Sequence, residues 1–149
     1  MKKTELTSEV ENGARRKLRL GWIGSGFVGQ VAHLYNFNEI PDVEIVALAE
    51  LRPKLGRQVA DRLGIQAVYP NHTELLAAEH SLDAVVAIVR REHTASVALD
   101  VLRSGVSLLT EKPMAPTVSQ AEDLVVAAVN SDVLYSNGFM RRHDDGVRK

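Results

Sequence analysis

The chain has 149 residues, of which 45% are hydrophobic and 25% charged, and it contains no cysteine. This composition is typical of one globular domain and excludes a collagen-like chain, a wholly disordered chain, a disulfide scaffold and any site that needs a thiolate. The formal net charge of −1 argues against general electrostatic binding to nucleic acid or to an anionic membrane. No apolar run reaches the roughly 18 residues that a membrane-spanning helix needs.

Residues 1–17 precede the first clear structural pattern. They carry several charges and no apolar stretch of the kind found in secretory signals, so we predict a mobile, mildly basic leader and a cytoplasmic protein. We expect the folded domain to cover residues 18–140. Residues 141–149 are charged and are predicted to form a tail.

The first strand–helix unit begins at Leu18. A short apolar stretch that ends at Ile23 predicts a strand, and the glycine-rich segment 24–29 follows it at once. Apolar residues then recur at helical spacing, which predicts an amphipathic helix. These residues are Val28, Val31, Ala32 and Tyr35.

Strands and helices alternate along the rest of the chain. Apolar runs predict further strands at 43–49, 67–69, 82–89, 106–110 and 133–139. Helical patterns lie at 53–63, 73–78 and 117–129, with another that presents Ala95, Ala98, Val101 and Leu102 on one side. Such alternation favours right-handed crossovers and a single parallel sheet. We therefore predict an α/β fold with a doubly wound parallel sheet, the Rossmann-type arrangement.

The glycine-rich segment is the first candidate binding element. A G-x-G-x-x-G pattern between a strand and a helix fits the phosphates of a dinucleotide, which the free N–H groups of the helix start attract. Gly24 permits the tight turn, Gly26 lets a pyrophosphate approach the main chain, and Gly29 lets the helix pack closely. A plain tight turn is the alternative interpretation.

Two charged residues follow the second predicted strand. Glu50 stands 26 positions after Gly24, where a carboxylate accepts hydrogen bonds from ribose hydroxyls and repels a 2′-phosphate. This placement favours NAD. Arg52 is placed to pair with a 2′-phosphate instead, so NADP is the alternative cofactor. A solvated strand-end charge is the alternative interpretation of Glu50.

Together these motifs resemble the N-terminal half of the glucose–fructose oxidoreductase, inositol dehydrogenase and rhizopine-catabolism (Gfo/Idh/MocA) family. The resemblance extends from about Leu18 to Lys149, and its most specific element is Glu111-Lys112-Pro113 after the fifth predicted strand. The other matching elements are the glycine turn, Glu50, segment 82–86, His93, Ala98-x-x-x-Leu102-x-x-Gly105 and segment 138–142. The resemblance implies an oxidoreductase that transfers a hydride between a nicotinamide cofactor and a sugar, cyclitol or related polyol.

The resemblance also implies roles for single residues. Lys112 would lie beside the nicotinamide ribose and the substrate hydroxyl as the catalytic residue, and Pro113 would follow a cis bond. A lysine at the end of a strand can orient a substrate oxygen and stabilise developing negative charge, although a surface lysine in a turn is the alternative. The expected cofactor-binding residues are Gly24, Ser25, Gly26, Phe27, Val28, Gly29, Glu50, Arg52, Val89, Arg90, His93, Glu111, Lys112 and Pro113.

The chain departs from the family pattern in two places. In the loop 89–93 only His93 matches, and Arg90 and Arg91 either reach a pyrophosphate or acidic substrate or are solvated charges at a helix start. His93 either shapes the nicotinamide pocket or is a first-turn helix side chain. The family also continues for roughly another domain, which supplies most of the substrate pocket, whereas this chain stops at Lys149.

We therefore expect a chain without the substrate domain that binds cofactor without efficient turnover. A non-enzymatic NAD(P)-binding sensor or accessory module is the alternative, and a remnant without activity is a third. Apolar surface left uncovered would favour limited stability or self-association as a homo-oligomer. The five histidines form no metal-ligand pair, so no metal is expected.

Overall fold

The structure is a computed structural model that describes residues 10–11 and 14–147. A short antiparallel pair, β1 (Val10–Glu11) and β2 (Ala14–Arg15), comes first. A six-stranded parallel sheet follows, formed by β3 (Leu18–Ile23), β4 (Val43–Ala49), β5 (Ala67–Tyr69), β6 (Ala84–Ala87), β7 (Ser107–Thr110) and β8 (Tyr135–Asn137). Its strand order is β5-β4-β3-β6-β7-β8. The predicted doubly wound parallel sheet is confirmed.

The predicted leader lies largely outside the described residues. Where the chain joins the sheet, Arg16 donates two hydrogen bonds of 2.7 Å to the carboxylate of Asp83. The same carboxylate accepts the main-chain N–H of Arg19 at 2.7 Å. Asp83 therefore fixes the start of β3 next to the segment that enters β6.

Helices connect the strands in the order expected for crossover units. A π-helical segment (Gly29–Leu34) continues into α1 (Tyr35–Asn38), and then come α2 (Pro53–Leu63), α3 (His72–Ala78), α4 (Arg91–Arg103), α5 (Val118–Asn130) and a 3-10 turn at Met140–His143. Pro53 suits the first turn of α2, and Gly64 ends that helix with a φ of +73°. None of these helices combines the length and apolarity of a membrane span.

The core consists of two layers, one on each face of the sheet. On one face, Trp22, Leu48 and Val86 pack with Leu34 of the π-helical segment and Val59 of α2. On the other face, side chains from the strands pack against residues of α3, α4 and α5; they include Ile23, Val85, Leu75, Val101 and Leu124. Because both faces are covered, residues 20–23 of β3 and 45–49 of β4 carry no polar side chain, whereas the charged Arg19 and Glu44 lie near the starts of these strands.

The predicted apolar face of the first helix is wrong. Val28 and Val31 are 53% and 60% exposed, whereas Leu34 is fully buried. The reason is the π-helical winding, in which the N–H of Tyr35 bonds to the carbonyl of Gln30, five residues earlier. The 3.6-residue period on which the prediction rests does not apply to a segment wound in this way.

The predicted apolar face of the last long helix is correct only in part. Leu124 of α5 is fully buried, and Ala127 and Ala128 pack beside it. Val118 and Val125 are 76% and 51% exposed, however. Because α5 contacts the rest of the fold along a narrow side, only one of its large apolar residues is fully covered.

Candidate functional site

A cleft of about 700 Å³ lies at the carboxyl edge of the sheet. The cleft is formed where the chain leaves β3 and β6, which lie side by side at the centre of the sheet. The strands that follow β3 are added on one side of this pair, and the strands that follow β6 are added on the other. Parallel sheets bind ligands at such a switch point because the two connections leave in opposite directions. Ten of the predicted cofactor-binding residues line this cleft: Gly24, Gly26, Phe27, Val28, Gly29, Glu50, Arg52, Val89, Arg90 and His93.

Two glycines of the turn are required by the packing of the protein itself. Gly24 has a φ of +88°, and a Cβ there would clash with the carbonyl oxygen of Ile88. A Cβ on Gly29 would lie 2.8 Å from the carbonyl oxygen of Gly24. Neither position has room for a side chain, so the turn can pack this closely against the end of β6 only with glycine at both positions, as the spacing of the motif predicts.

Gly26 is different, because the protein leaves open space beside it. The nearest atom to a Cβ built there is Nη2 of Arg52, at 4.0 Å, and the φ of Gly26 is not in the left-handed region. The fold therefore gives no reason for glycine at this position. A ligand that approaches the main chain does give one, so the turn fits a diphosphate.

Glu50 lies beneath the turn rather than at its surface. The residue is 5% exposed, and Oε2 accepts hydrogen bonds from the main-chain N–H and the hydroxyl of Ser25, both at 2.8 Å. Ser25 is fully buried. The carboxylate thus holds the first half of the glycine turn against the end of β4.

Arg52 covers Glu50 from the side of the cleft. Its Nε donates to Oε1 at 2.7 Å, its Nη2 to Oε2 at 3.1 Å, and its main-chain N–H to Oε1 at 3.1 Å. The side chain of Arg52 remains 63% exposed. The guanidinium is therefore the charged group that this end of the cleft presents to a ligand.

These contacts determine the protonation of Glu50. Burial raises the pKa of the carboxyl, but hydrogen bonds from Arg52 and Ser25 outweigh burial and hold the pKa at about 2. Glu50 is therefore a carboxylate at neutral pH, paired with the charge of Arg52.

The opposite wall of the cleft comes from the segment between β6 and α4. Val89 is half-buried, whereas Arg90 and His93 are exposed. Nε of Arg90 lies 2.7 Å from Oε1 of Glu92, with 81% of the arginine side chain exposed. At the cleft, Arg90 is therefore a solvated charge with a local partner.

The Glu-Lys-Pro turn lies after β7, outside the lining of the cleft. The Lys112–Pro113 peptide bond is cis, as the resemblance implies, and Lys112 and Pro113 are exposed. Oε2 of Glu111 accepts the main-chain N–H of Lys112 at 2.8 Å. Nε2 of His33, in the π-helical segment, lies 2.8 Å from Oε1 of Glu111. This contact joins the Glu-Lys-Pro turn to the helix that starts at the glycine turn.

Sequence reasoning missed several residues at the site. Asn71 and His72 follow β5, and Ser96 lies one helical turn after His93; all three line the cleft. The position of Asn71 and His72 after a strand, at the carboxyl edge of the sheet, was the available signal. The contact of His33 with Glu111 had no signal, because the two residues are 78 positions apart.

Groups of three or more histidine and carboxylate side chains with the geometry of a metal site do not occur in the described part of the chain. The open space at Gly26, the closed packing at Gly24 and Gly29, and the acid at the end of β4 define a Rossmann dinucleotide-binding domain. A family model described as an oxidoreductase family with an NAD-binding Rossmann fold, Gfo/Idh/MocA, matches residues 18–139. The chain belongs to this family, and the predicted resemblance is confirmed.

Several curated relatives are inositol dehydrogenases. An inositol 2-dehydrogenase/D-chiro-inositol 3-dehydrogenase from Shouchella clausii is 35% identical over 132 residues, which cover 87% of this chain and 38% of the relative. Its counterpart from Halalkalibacterium halodurans is 31% identical over 131 residues, covering 87% and 37%. The chain thus spans less than two fifths of the length of these relatives.

Solved structures show the same fold. KijD10, a 3-ketoreductase from Actinomadura kijaniata in complex with TDP-benzene and NADP, superposes with a TM-score of 0.80 at 27% identity. The superposition covers 89% of this chain and 42% of KijD10. A myo-inositol 2-dehydrogenase from Lactobacillus plantarum has the same TM-score at 23% identity, which supports the fold alone, and covers 89% and 39%.

Proposed function

We propose that this chain is the cofactor-binding domain of an oxidoreductase that transfers a hydride between a nicotinamide dinucleotide and a sugar, cyclitol or related polyol. The observation that carries the proposal is the open space at Gly26, bordered by a turn whose other two glycines are fixed by packing. The polyol class is supported by the inositol dehydrogenases among the relatives.

The cofactor would bind along the cleft. Main-chain N–H groups at the glycine turn would hold the diphosphate, and the end of β4 would hold the adenosine ribose. The nicotinamide, when bound, supplies the hydride chemistry. Lys112 would serve as the catalytic residue that orients the substrate oxygen and stabilises its negative charge.

We propose NAD as the preferred cofactor. Three of the five hydrogen bonds to the Glu50 carboxylate come from Arg52, whose side chain is largely exposed. The guanidinium reaches the buried carboxylate from the open side of the cleft, so ribose hydroxyls that donate to the same oxygens can replace it while Ser25 stays in place. NADP is the second candidate, because a displaced Arg52 is available to a 2′-phosphate.

The experiment is a titration with NADH that is followed by the fluorescence of Trp22, the only tryptophan. We expect quenching by energy transfer and a dissociation constant between micromolar and millimolar. Gly26→Val should weaken binding at least about tenfold, or 1.4 kcal/mol, because its side chain occupies the place of the phosphates. Because the fold leaves space beside Gly26, the melting temperature of Gly26→Val should match that of the wild-type chain.

Ala77→Val, at an exposed position of α3 outside the cleft, is the matched control and should bind like wild type. Equal titration curves for wild type and Gly26→Val would remove the cofactor assignment.

With NAD and a polyol such as inositol, we expect no efficient turnover from the 149-residue chain. Sedimentation would show whether the chain self-associates, as its exposed apolar side chains on α5 lead us to expect.

A further inference from the structure

One carboxylate links the first helical segment to the peptide of Lys112. Oε1 of Glu111 lies 2.8 Å from Nε2 of His33, and Oε2 accepts the main-chain N–H of Lys112 at 2.8 Å. The side chains of His33 and Glu111 are only 24% and 17% exposed. Each oxygen of Glu111 thus has a different partner, and the two partners come from distant parts of the chain.

The main chain of the turn is held separately, from β8. Nδ2 of Asn137 donates to the carbonyl of Glu111 at 3.1 Å and to the hydroxyl of Thr110 at 2.9 Å. The N–H of Gly138 donates to the carbonyl of Thr110 at 2.8 Å. These bonds fix the path of the turn without help from His33. The contact with His33 therefore acts on the Glu111 side chain rather than on the course of the chain.

The π-helical winding determines which residue reaches Glu111. Val31 and Ala32 are exposed, His33 is half-buried against Glu111, and Leu34 is fully buried in the core. A π turn contains more residues than an α turn, so it changes which side chain faces a given neighbour. In this fold it brings a hydrogen-bonding side chain, rather than an apolar one, to the Glu-Lys-Pro turn.

We propose that His33 is a positioning residue for Lys112. By holding one oxygen of Glu111, His33 keeps the other oxygen on the N–H of Lys112 and so restricts the lysine at the nicotinamide end of the site. The inference rests on the proposed function, because it needs Lys112 to lie beside the nicotinamide half of the cofactor. If the inference is correct, replacing His33 weakens the binding of the nicotinamide half of the cofactor and leaves the binding of the adenosine and diphosphate half unchanged.

The test compares NADH with ADP-ribose, which lacks the nicotinamide. His33→Leu, without a hydrogen-bonding group, should weaken NADH binding by roughly three- to tenfold and leave ADP-ribose affinity within about twofold of wild type. His33→Gln offers an amide donor and should restore most of the NADH affinity. The amide resonance of Lys112 in a ¹⁵N-correlated NMR spectrum should shift in His33→Leu and remain near its wild-type position in His33→Gln.

A double variant tests whether His33 acts through Glu111. Glu111→Gln should weaken NADH binding by itself, and adding His33→Leu should cause little further loss, because the two residues act as a unit. Independent, multiplicative losses would overturn the proposal.

The remaining outcomes separate the two proposals. Equal weakening of NADH and ADP-ribose by His33→Leu would show that His33 supports only the fold, and unchanged binding of both ligands would show that it has no positioning role. Either result overturns the role of His33 and leaves the cofactor assignment intact. If wild type binds neither ligand, the proposed function itself fails and this inference fails with it.

Discussion

The carboxylate of Glu50 and the guanidinium of Arg52 form a two-point ion pair at the end of β4, with Nε–Oε1 at 2.7 Å and Nη2–Oε2 at 3.1 Å. The carboxylate is buried and the guanidinium is largely exposed. Glu50 therefore supports the structure of the glycine turn, whereas the side chain of Arg52 is accessible to a ligand. Two predictions depend on this difference.

Glu50→Gln should lower the stability of the fold in a pH-dependent way. The pKa of Glu50 is about 2 in the folded protein and near 4.5 without its partners. The carboxylate therefore contributes stability that is fully present above about pH 4.5 and is lost as the pH falls toward 2. At neutral pH we expect a loss of about 2 kcal/mol in the variant.

Chemical denaturation at several pH values measures this difference. The free energies of unfolding of wild type and Glu50→Gln should converge as the pH falls from about 4.5 toward 2. A difference that is as large near pH 2.5 as at pH 7 would contradict the role of the charged carboxylate.

Arg52→Gln should strengthen the preference for NADH over NADPH. Without the guanidinium, a 2′-phosphate loses its positive partner and meets the Glu50 carboxylate alone, so NADPH affinity should fall at least about fivefold. NADH affinity should change by less than about twofold. Titration of wild type and variant with both nucleotides measures the change. A wild-type chain that prefers NADPH would reverse the assignment of NAD.

Gly29→Ala should destabilise the fold because the added Cβ would lie 2.8 Å from the carbonyl oxygen of Gly24. The strain should cost about 1–3 kcal/mol, partly offset by the better helix propensity of alanine. Thermal unfolding measures the effect. Gly26→Ala is the matched control in the same turn, and its melting temperature should not fall, because nothing lies closer than 4.0 Å to its Cβ.

Leu124→Ala should remove the main buried contact of α5 and lower the free energy of unfolding by about 2–4 kcal/mol. Val125→Ala, one position further along the same helix, should change it by less than about 0.5 kcal/mol, since Val125 is 51% exposed. Comparable losses in the two variants, measured by urea denaturation, would mean that the helix packs on a different side.

The sheet could be predicted from the sequence because its strands depend on local patterns. The predicted strand at 67–69 coincides with β5, and the strand at 43–49 coincides with β4. The predicted strands at 82–89 and 133–139 are longer than β6 and β8, since apolar residues also occupy the segments beside the strands. The parallel arrangement was predicted from the alternation of strands and helices, whereas the order of the strands was not predicted.

The sequence predicted the geometry of the candidate site only at positions that belong to a known motif. The roles of Gly24 and Gly29 follow from the spacing of the turn, and their packing agrees with it. The π-helical winding at 29–34 and the contact of His33 with Glu111 are not part of the glycine motif, and the apolar spacing of this segment predicted an ordinary α-helix. The ion pair of Glu50 with Arg52 was missed because each residue was considered as a partner for the cofactor, not for the other.

The contact between His33 and Glu111 also has a consequence for how the molecule assembles. The two residues are 78 positions apart, so their contact closes a long loop that contains several crossover units. Closing such a long loop costs entropy before any contact is gained. During refolding, the environment of the His33 ring should therefore become native only after the bulk of the helical signal has returned, which makes this imidazole a reporter of completed assembly.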